Sequence, residues 1–77
     1  MTLDLLKLGE TARVIAVNCE GFLRTRFADL GLLPGTAIRA SMRSPLGDPV
    51  AYEVRGSLIA IRFEDAKRIE VEREGQI

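Results

Sequence analysis

The sequence contains no histidine, no tryptophan, one cysteine and few aromatic residues among its 77 positions. Without histidine, neither a Ser-His-Asp nor a Cys-His nucleophile can be assembled, and an iron site of two histidines and a carboxylate is excluded as well. The single thiol, Cys19, cannot form an internal disulfide and falls short of the four ligands of a structural zinc site. We therefore interpret Cys19 as a loop thiol, and we expect no catalytic residues, no metal ligands and no cofactor.

Long apolar runs and a charge excess are also missing. No stretch approaches the roughly 18 apolar residues of a membrane span, and the opening residues 1–8 lack the basic start of a signal peptide. We therefore expect a cytoplasmic protein. Eleven basic residues balance eleven acidic ones, so no net field attracts phosphate backbones, and the few aromatic residues disfavour base stacking. We expect neither direct membrane insertion nor nucleic-acid binding.

The strongest local pattern predicts a helix from about Gly21 to Leu30. Leu23, Phe27 and Leu30 recur at i, i+4 and i+7, which places them along one stripe of a helix. We expect the other two phenylalanines, Phe22 and Phe63, to lie mostly in the core with Phe27.

The end of this helix is predicted from its glycine and proline. Gly31 lies where a left-handed residue terminates a helix, so Leu32 should pack on Phe27 in a Schellman ending. Pro34 and Gly35 then fit the two central positions of a type II turn that leads into a strand.

Five segments have the β-branched residues or period-two alternation of strands. The first is residues 11–17, and the inward residues of the others are predicted to be Ile38, Ala40 and Met42, then Val50, Tyr52 and Val54, then Ile59, Ile61 and Phe63, and finally Ile69 and Val71. Strands this short bury little as an open meander, so we predict closure into a barrel. The expected fold is mainly β: a small five-stranded SH3-like or OB-like barrel with one short α-helix between strands 1 and 2.

The remaining segments complete this organisation. Residues 1–8 are expected to cover one end of the barrel, and residues 64–67 to form a single helical turn. The whole of residues 1–77 is expected to be one domain with a frayed tail at 72–77.

Arginines and two exposed loops supply the candidate partner contacts. Nine of the eleven basic residues are arginine, whose planar fork is favoured at protein interfaces. Arg24 and Arg26 on the predicted helix are therefore candidate contacts. The alternative is that these arginines only keep a small barrel soluble.

The second set of candidate contacts lies in the loops. Residues 44–49 carry two prolines and a glycine and must break the strand pattern. An apolar residue in such a rigid loop loses little entropy on binding a partner. Leu33 at the turn, and Pro45, Leu46 and Asp48 in this loop, are candidate partner contacts. The alternative is that the two leucines plug the ends of the barrel.

Four segments resemble the FeoA family in their order and spacing: Leu30–Thr36, Ser44–Val50, Ala60–Arg62 and Ile69–Val71. The similarity extends from about Leu3 to Val71. Members of that family are small cytoplasmic SH3-like barrels associated with bacterial ferrous iron uptake. They are thought to act on FeoB, a membrane transporter that carries a G-protein domain.

The resemblance implies a non-enzymatic accessory protein that docks on, or modulates, a FeoB-type transporter at its G domain or its membrane portion. If the G domain is modulated, Arg24 or Arg26 directed at the nucleotide phosphates is one mechanism. Other readings stay open: a regulatory module like the C-terminal domains of metal-dependent repressors, a binding module unconnected with iron, and a weak metal carrier. Exposed strand edges also leave a homo-oligomer open.

Overall fold

The computed structural model describes residues 1–74 and contains one antiparallel sheet with two helices. The strands are β1 (Thr11–Val17), β2 (Ala37–Arg43), β3 (Val50–Val54), β4 (Ser57–Ile61) and β5 (Ile69–Arg73), and the helices are α1 (Gly21–Asp29) and α2 (Phe63–Ala66). The strand order in the sheet is β4-β3-β2-β1-β5. The prediction of five strands with one helix between the first two is confirmed. Of the predicted frayed tail, 72–77, residues 72 and 73 belong to β5 and residues 75–77 lie outside the described part.

Helix α1 ends as its sequence predicts. The Leu32 N–H donates to the Phe27 carbonyl at 2.9 Å, and the Gly31 N–H donates to the Ala28 carbonyl at 3.0 Å. Gly31 has a φ of +94°, and both Phe27 and Leu32 are buried. These are the two hydrogen bonds, the left-handed residue and the apolar contact of a Schellman ending.

The turn after α1 joins the helix to the sheet. The Thr36 N–H donates to the Leu33 carbonyl at 3.0 Å, and Gly35 has a φ of +93°, which confirms the type II turn. The Gly35 N–H then donates to the Val14 carbonyl at 2.7 Å, and the Val14 N–H donates to the Thr36 carbonyl at 2.9 Å. The turn is therefore bonded directly to β1.

A β-bulge in β2 reverses one predicted side chain. Ala40 pairs with Tyr52, but the next pair is Met42 with Ala51, so β2 contributes one residue more than β3 at this point. An extra residue shifts the inside–outside alternation by one position. Met42, predicted to face inward, is consequently 56% exposed.

Two phenylalanines were assigned wrongly. Phe22 was expected in the core, yet it is 84% exposed. It lies five positions before Phe27 on α1, about 140° around a helix of 3.6 residues per turn, and therefore points away from the sheet. Phe63 was expected to end the fourth strand facing inward, but it begins α2 and is 40% exposed.

The sheet does not close by hydrogen bonds, contrary to the expectation of a closed barrel. Within residues 1–74, β4 and β5 are the two edges of the sheet and no ladder joins them. Helix α2 instead connects the end of β4 to the start of β5. Of the segment 1–8, expected to cover a barrel end, residues 3–5 form a 3-10 turn, and Leu3 and Leu6 are buried in the core.

Candidate partner-binding surfaces

The loop between β2 and β3 is a braced turn with an apolar tip. The Gly47 N–H donates to the Ser44 carbonyl at 2.8 Å, so Pro45 and Leu46 occupy the two central positions of a turn. The Ser44 N–H donates to the Pro49 carbonyl at 3.1 Å, which ties the two ends of the loop together. The loop therefore holds Leu46 outward, where its side chain is 94% exposed.

Asp48 fastens the same loop to α2. Its Oδ1 accepts a hydrogen bond from the Phe63 N–H at 2.9 Å. Phe63 is the first residue of α2, where backbone N–H groups have no partner within the helix. The geometry thus gives Asp48, one of the predicted contact residues, an intramolecular role as an acceptor at a helix start.

An apolar groove lies beside this loop on the outer face of the sheet. Met42 pairs with Ala51, and Ala51 pairs with Ala60. These three residues form a row across β2, β3 and β4, and the two alanines leave space above the sheet. The groove has a volume of about 230 Å³, and its wall and floor include Met42, Pro45, Pro49, Ala51 and Ala60. These five residues together with Leu46 are called the loop surface below.

Sequence reasoning missed this groove for a specific reason. The alternation of β2 assigned Met42 to the core, and only the bulge after Ala40 places it outside. Bulges have no reliable signature in a strand that contains neither glycine nor proline. The small residues Ala51 and Ala60 were visible in outward positions, but without Met42 they formed no surface.

Helix α1 and the turn after it carry the other predicted contacts, on two separate faces. Arg24 and Leu33 line one shallow groove together with Val17 and Pro34. Arg26 lines a different one with Phe22, Asp29 and Leu30. The structure therefore brings Arg24 and Leu33 together but separates them from Arg26.

Both arginines of α1 are exposed, and neither forms an ion pair within residues 1–74. Phe22, beside Arg26, is the most exposed aromatic side chain of the described part. The residues Phe22, Arg24, Arg26, Leu30 and Leu33 are called the helix surface below. The sequence did contain one indication that Phe22 is exposed: this residue lies off the helix stripe formed by Leu23, Phe27 and Leu30.

The two surfaces lie at opposite ends of β2. The turn with Leu33 precedes this strand and the loop with Leu46 follows it, and seven residues in a strand span up to about 20 Å. A small partner segment that contacts Leu46 therefore does not reach Leu33. The predicted contacts therefore do not form one site: Pro45 and Leu46 belong to the loop surface, and Arg24, Arg26 and Leu33 belong to the helix surface, which extends over two faces of α1.

Between these sites the interior holds one strongly perturbed titratable group. The pKa of Tyr52 is raised to about 12, mainly by burial; the carboxylates of Asp4 and Asp48 contribute to the rise and the Arg43 guanidinium opposes it. The Tyr52 side chain is buried in the core, so the phenol is held neutral. Tyr52, one of the residues predicted to face inward, belongs to neither surface.

The described residues offer no cluster of metal-ligating side chains. Within residues 1–74, no group of three or more Cys, Asp or Glu side chains converges, and the Cys19 thiol is buried. In the same part of the chain, neither helix is long and apolar enough to cross a membrane. What residues 1–74 present is a pair of contact surfaces.

A family model described as the FeoA domain matches residues 1–73. A curated relative from Porphyromonas gingivalis, named as an Fe(2+) transport protein A/Fe(2+) transporter FeoB fusion protein, is 36% identical over 72 residues. The match covers 94% of this chain but only 8% of the fusion protein. The chain therefore spans a small part of that relative's length.

Solved structures show the same fold. The solution structure of FeoA from Chlorobium tepidum matches with a TM-score of 0.92 and 36% identity, over 97% of this chain and 71% of that chain. Stenotrophomonas maltophilia FeoA complexed with zinc, described as a prokaryotic SH3 domain protein, matches with a TM-score of 0.82 and 30% identity, over 94% and 89%. The T. acidophilum IdeR matches with 0.83 and 27%, over 96% of this chain and 34% of that one. The predicted SH3-like fold is confirmed.

Proposed function

The chain belongs to the FeoA domain family, and on that premise we propose that it is an accessory protein of ferrous iron uptake that docks on a FeoB-type transporter. The P. gingivalis relative supports this proposal, since its name describes transport protein A and the transporter FeoB in one polypeptide. Joining two modules in one chain raises the effective concentration of each for the other. Such a fusion is useful when the two parts act in contact.

The observation that carries the proposal is the geometry of Leu46. Its side chain is 94% exposed at the tip of a turn closed by two backbone hydrogen bonds. A tip that is already rigid loses little conformational entropy when a partner covers it. Burying one leucine contributes about 1.5–3 kcal/mol, and the adjoining groove offers further apolar area. We propose that the loop surface is the docking site. In this proposal the protein acts by contact alone and catalyses no reaction.

Co-purification with a detergent-solubilised FeoB-type transporter tests this proposal. Leu46→Asp should lower the apparent affinity by at least about tenfold, because the loss of a buried leucine corresponds to 1.4 kcal/mol or more. Leu5→Asp is the matched control, since Leu5 is 60% exposed and lies in the 3-10 turn. We expect this control to bind like the wild type.

Retention of Leu46→Asp at wild-type affinity would reject the loop surface as the docking site. Leu33→Asp then decides whether the helix surface is used in its place. If neither the wild type nor any variant associates with the transporter, and the isolated protein holds stoichiometric Fe(II) in calorimetry, the metal-carrier reading replaces docking.

Modulation of the G domain is a second, separable step of the proposal. Arg24 and Arg26 are exposed on α1 and have no ion-pair partner within the described residues, so both are available to a nucleotide phosphate. Arginine directed at transferring phosphates accelerates hydrolysis in GTPases. GTP turnover by the isolated G domain, with added wild type, Arg24→Ala or Arg26→Ala, tests this step. Unchanged turnover with the wild type would eliminate it.

The regulator reading draws support from a solved structure described as an iron uptake regulatory protein (FeoA), which matches with a TM-score of 0.81 and 26% identity. DNA-reading helix-turn-helix units need two adjacent helices. Within residues 1–74 the two helices have nine and four residues and are separated by three strands. Salt-resistant binding to DNA in a gel-shift experiment would favour the regulator over the transporter accessory.

A further inference from the structure

The outer edge of β4 is open, in contrast to the other edge of the sheet. Beside β5, residues 1 and 2 add a short stretch of pairing: Thr2 bridges Glu70, and the Val71 N–H donates to the Met1 carbonyl at 2.8 Å. Within residues 1–74, no backbone group outside β3 bonds to β4. One edge is thereby covered in part and the other is available.

The hairpin geometry determines which backbone groups face the open edge. Val54 and Ser57 flank the two-residue turn of Arg55 and Gly56, whose φ angles are +51° and +82°. These angles fit a type I′ turn, in which the flanking residues form a hydrogen-bonded pair. Because bonding alternates along a strand, the N–H and C=O groups of Leu58 and Ala60 point outward, away from β3.

Strand β4 carries none of the features that usually protect an edge. Natural edges are blunted by charged side chains, prolines or bulges. Residues 57–61 are Ser-Leu-Ile-Ala-Ile, without charge or proline, and the ladder to β3 runs through five consecutive pairs without a register shift. On the outer face, Leu58 is 57% exposed next to the small side chain of Ala60.

We propose that this edge binds the same edge of a second copy of the chain, antiparallel, with Ile59 on the two-fold axis. In this register, Leu58 of each copy lies opposite Ala60 of the other. The free N–H and C=O groups of both residues then form four hydrogen bonds between the copies. Each leucine covers an alanine, so a large side chain meets a small one at both places, and the two Ile59 side chains meet on the inner face.

A second copy fits the edge because the pairing is self-complementary and free of charge. Neither copy places a charged residue within the paired strands, so no like charges oppose each other. The β5 edge, by contrast, carries Glu70 and Glu72 and is already covered in part. A pair of five-residue strands buries less than the roughly 1,200 Å² of a standard interface. The dimer is consequently reversible and depends on concentration.

Sedimentation of the isolated protein from micromolar to millimolar concentration tests the proposal without any transporter, so its failure leaves the docking proposal intact. We expect a monomer–dimer equilibrium. Leu58→Lys should weaken dimerisation at least about tenfold, because it replaces the apolar side chain that covers Ala60 of the other copy with a charged ammonium group. Leu5→Lys is the control, because Leu5 has a similar exposure of 60%. A wild type that stays monomeric up to millimolar concentration overturns the proposal, as does a Leu58→Lys dimer as strong as the wild type's.

Cysteine cross-linking in a Cys19→Ala background tests the register. In the proposed pairing, residue 58 of one copy lies about 5.5 Å between Cα atoms from residue 60 of the other, within disulfide range, whereas two copies of residue 58 are about 9 Å apart. A mixture of Leu58→Cys and Ala60→Cys should oxidise to a covalent dimer, and neither variant should do so alone. Efficient cross-linking of one variant alone, or none in the mixture, overturns this arrangement.

Discussion

Gly31 follows the end of α1 and lies next to Arg55 in the β3–β4 hairpin. Substituting Gly31 therefore tests the helix ending described above. A Cβ atom added at Gly31 would lie 3.0 Å from Cδ and 3.5 Å from Nε of Arg55. Gly31 also has a φ of +94°, which side-chain-bearing residues rarely adopt. Gly31→Ala therefore introduces both backbone strain and a collision with one side chain.

The two costs can be separated because Gly35 offers a matched control. Gly35 has nearly the same φ, +93°, but nothing lies within 4 Å of its added Cβ. Gly35→Ala should cost only the backbone term, about 1–2 kcal/mol. Gly31→Ala should cost that amount plus about 0.5–1.5 kcal/mol, because Cδ of Arg55 must move by a few tenths of an ångström, which strains the torsion angles of that side chain.

Urea unfolding followed by circular dichroism measures both variants, alone and in an Arg55→Ala background. In that background the excess cost of Gly31→Ala over Gly35→Ala should disappear, because the colliding atoms are gone. Each kcal/mol lost lowers the melting temperature of a domain this size by about 4–8 °C. Equal costs for the two glycines with Arg55 present would refute the predicted contact, and a Gly31→Ala variant as stable as wild type would refute the left-handed helix ending.

Three further predictions follow from individual side chains. The phenol of Tyr52, the single tyrosine, should titrate in ultraviolet absorbance with a midpoint near 12, and a midpoint near 10 would contradict its burial. The pKa of Tyr52 is raised from 10.0 to about 12 in the folded protein. The stability that the neutral phenol contributes is therefore complete below pH 10 and is lost as the pH rises through 12. Tyr52→Phe should remove this part of the alkaline destabilisation. Asp48→Ala should cost about 1 kcal/mol in urea unfolding by leaving the Phe63 N–H without its acceptor, and Asp48→Asn should cost less. Met42→Lys should leave stability within about 0.5 kcal/mol, as for exposed sites generally, yet reduce co-purification with the transporter; a large loss of stability would place Met42 in the core.

Local sequence patterns predicted the helix ending and the turn after it. Gly31 and Gly35 need positive φ, and Pro34 cannot continue a helix, so each constraint acts within a few residues and is visible in the chain. The strand residues 11–17 were predicted with the observed bounds for the same reason, because β-branched residues cluster there.

Features that depend on distant pairing were not predictable in this way. The position of Met42 follows from how β2 aligns with β3, and the open edge of β4 follows from where α2 leads the chain. No local sequence pattern indicates either the register of β2 on β3 or the open edge of β4. The apolar groove beside Leu46 combines residues from three strands, and it appears only when these strands are paired in the observed register.

The most direct test of the account is a nuclear magnetic resonance titration of the isotope-labelled protein with a detergent-solubilised FeoB-type transporter. The amide resonances of residues 44–49, with those of Met42 and Ala51, should shift or broaden first, because they belong to the loop surface. Changes confined to α1 and Leu33, or no change at transporter saturation, would contradict docking through Leu46.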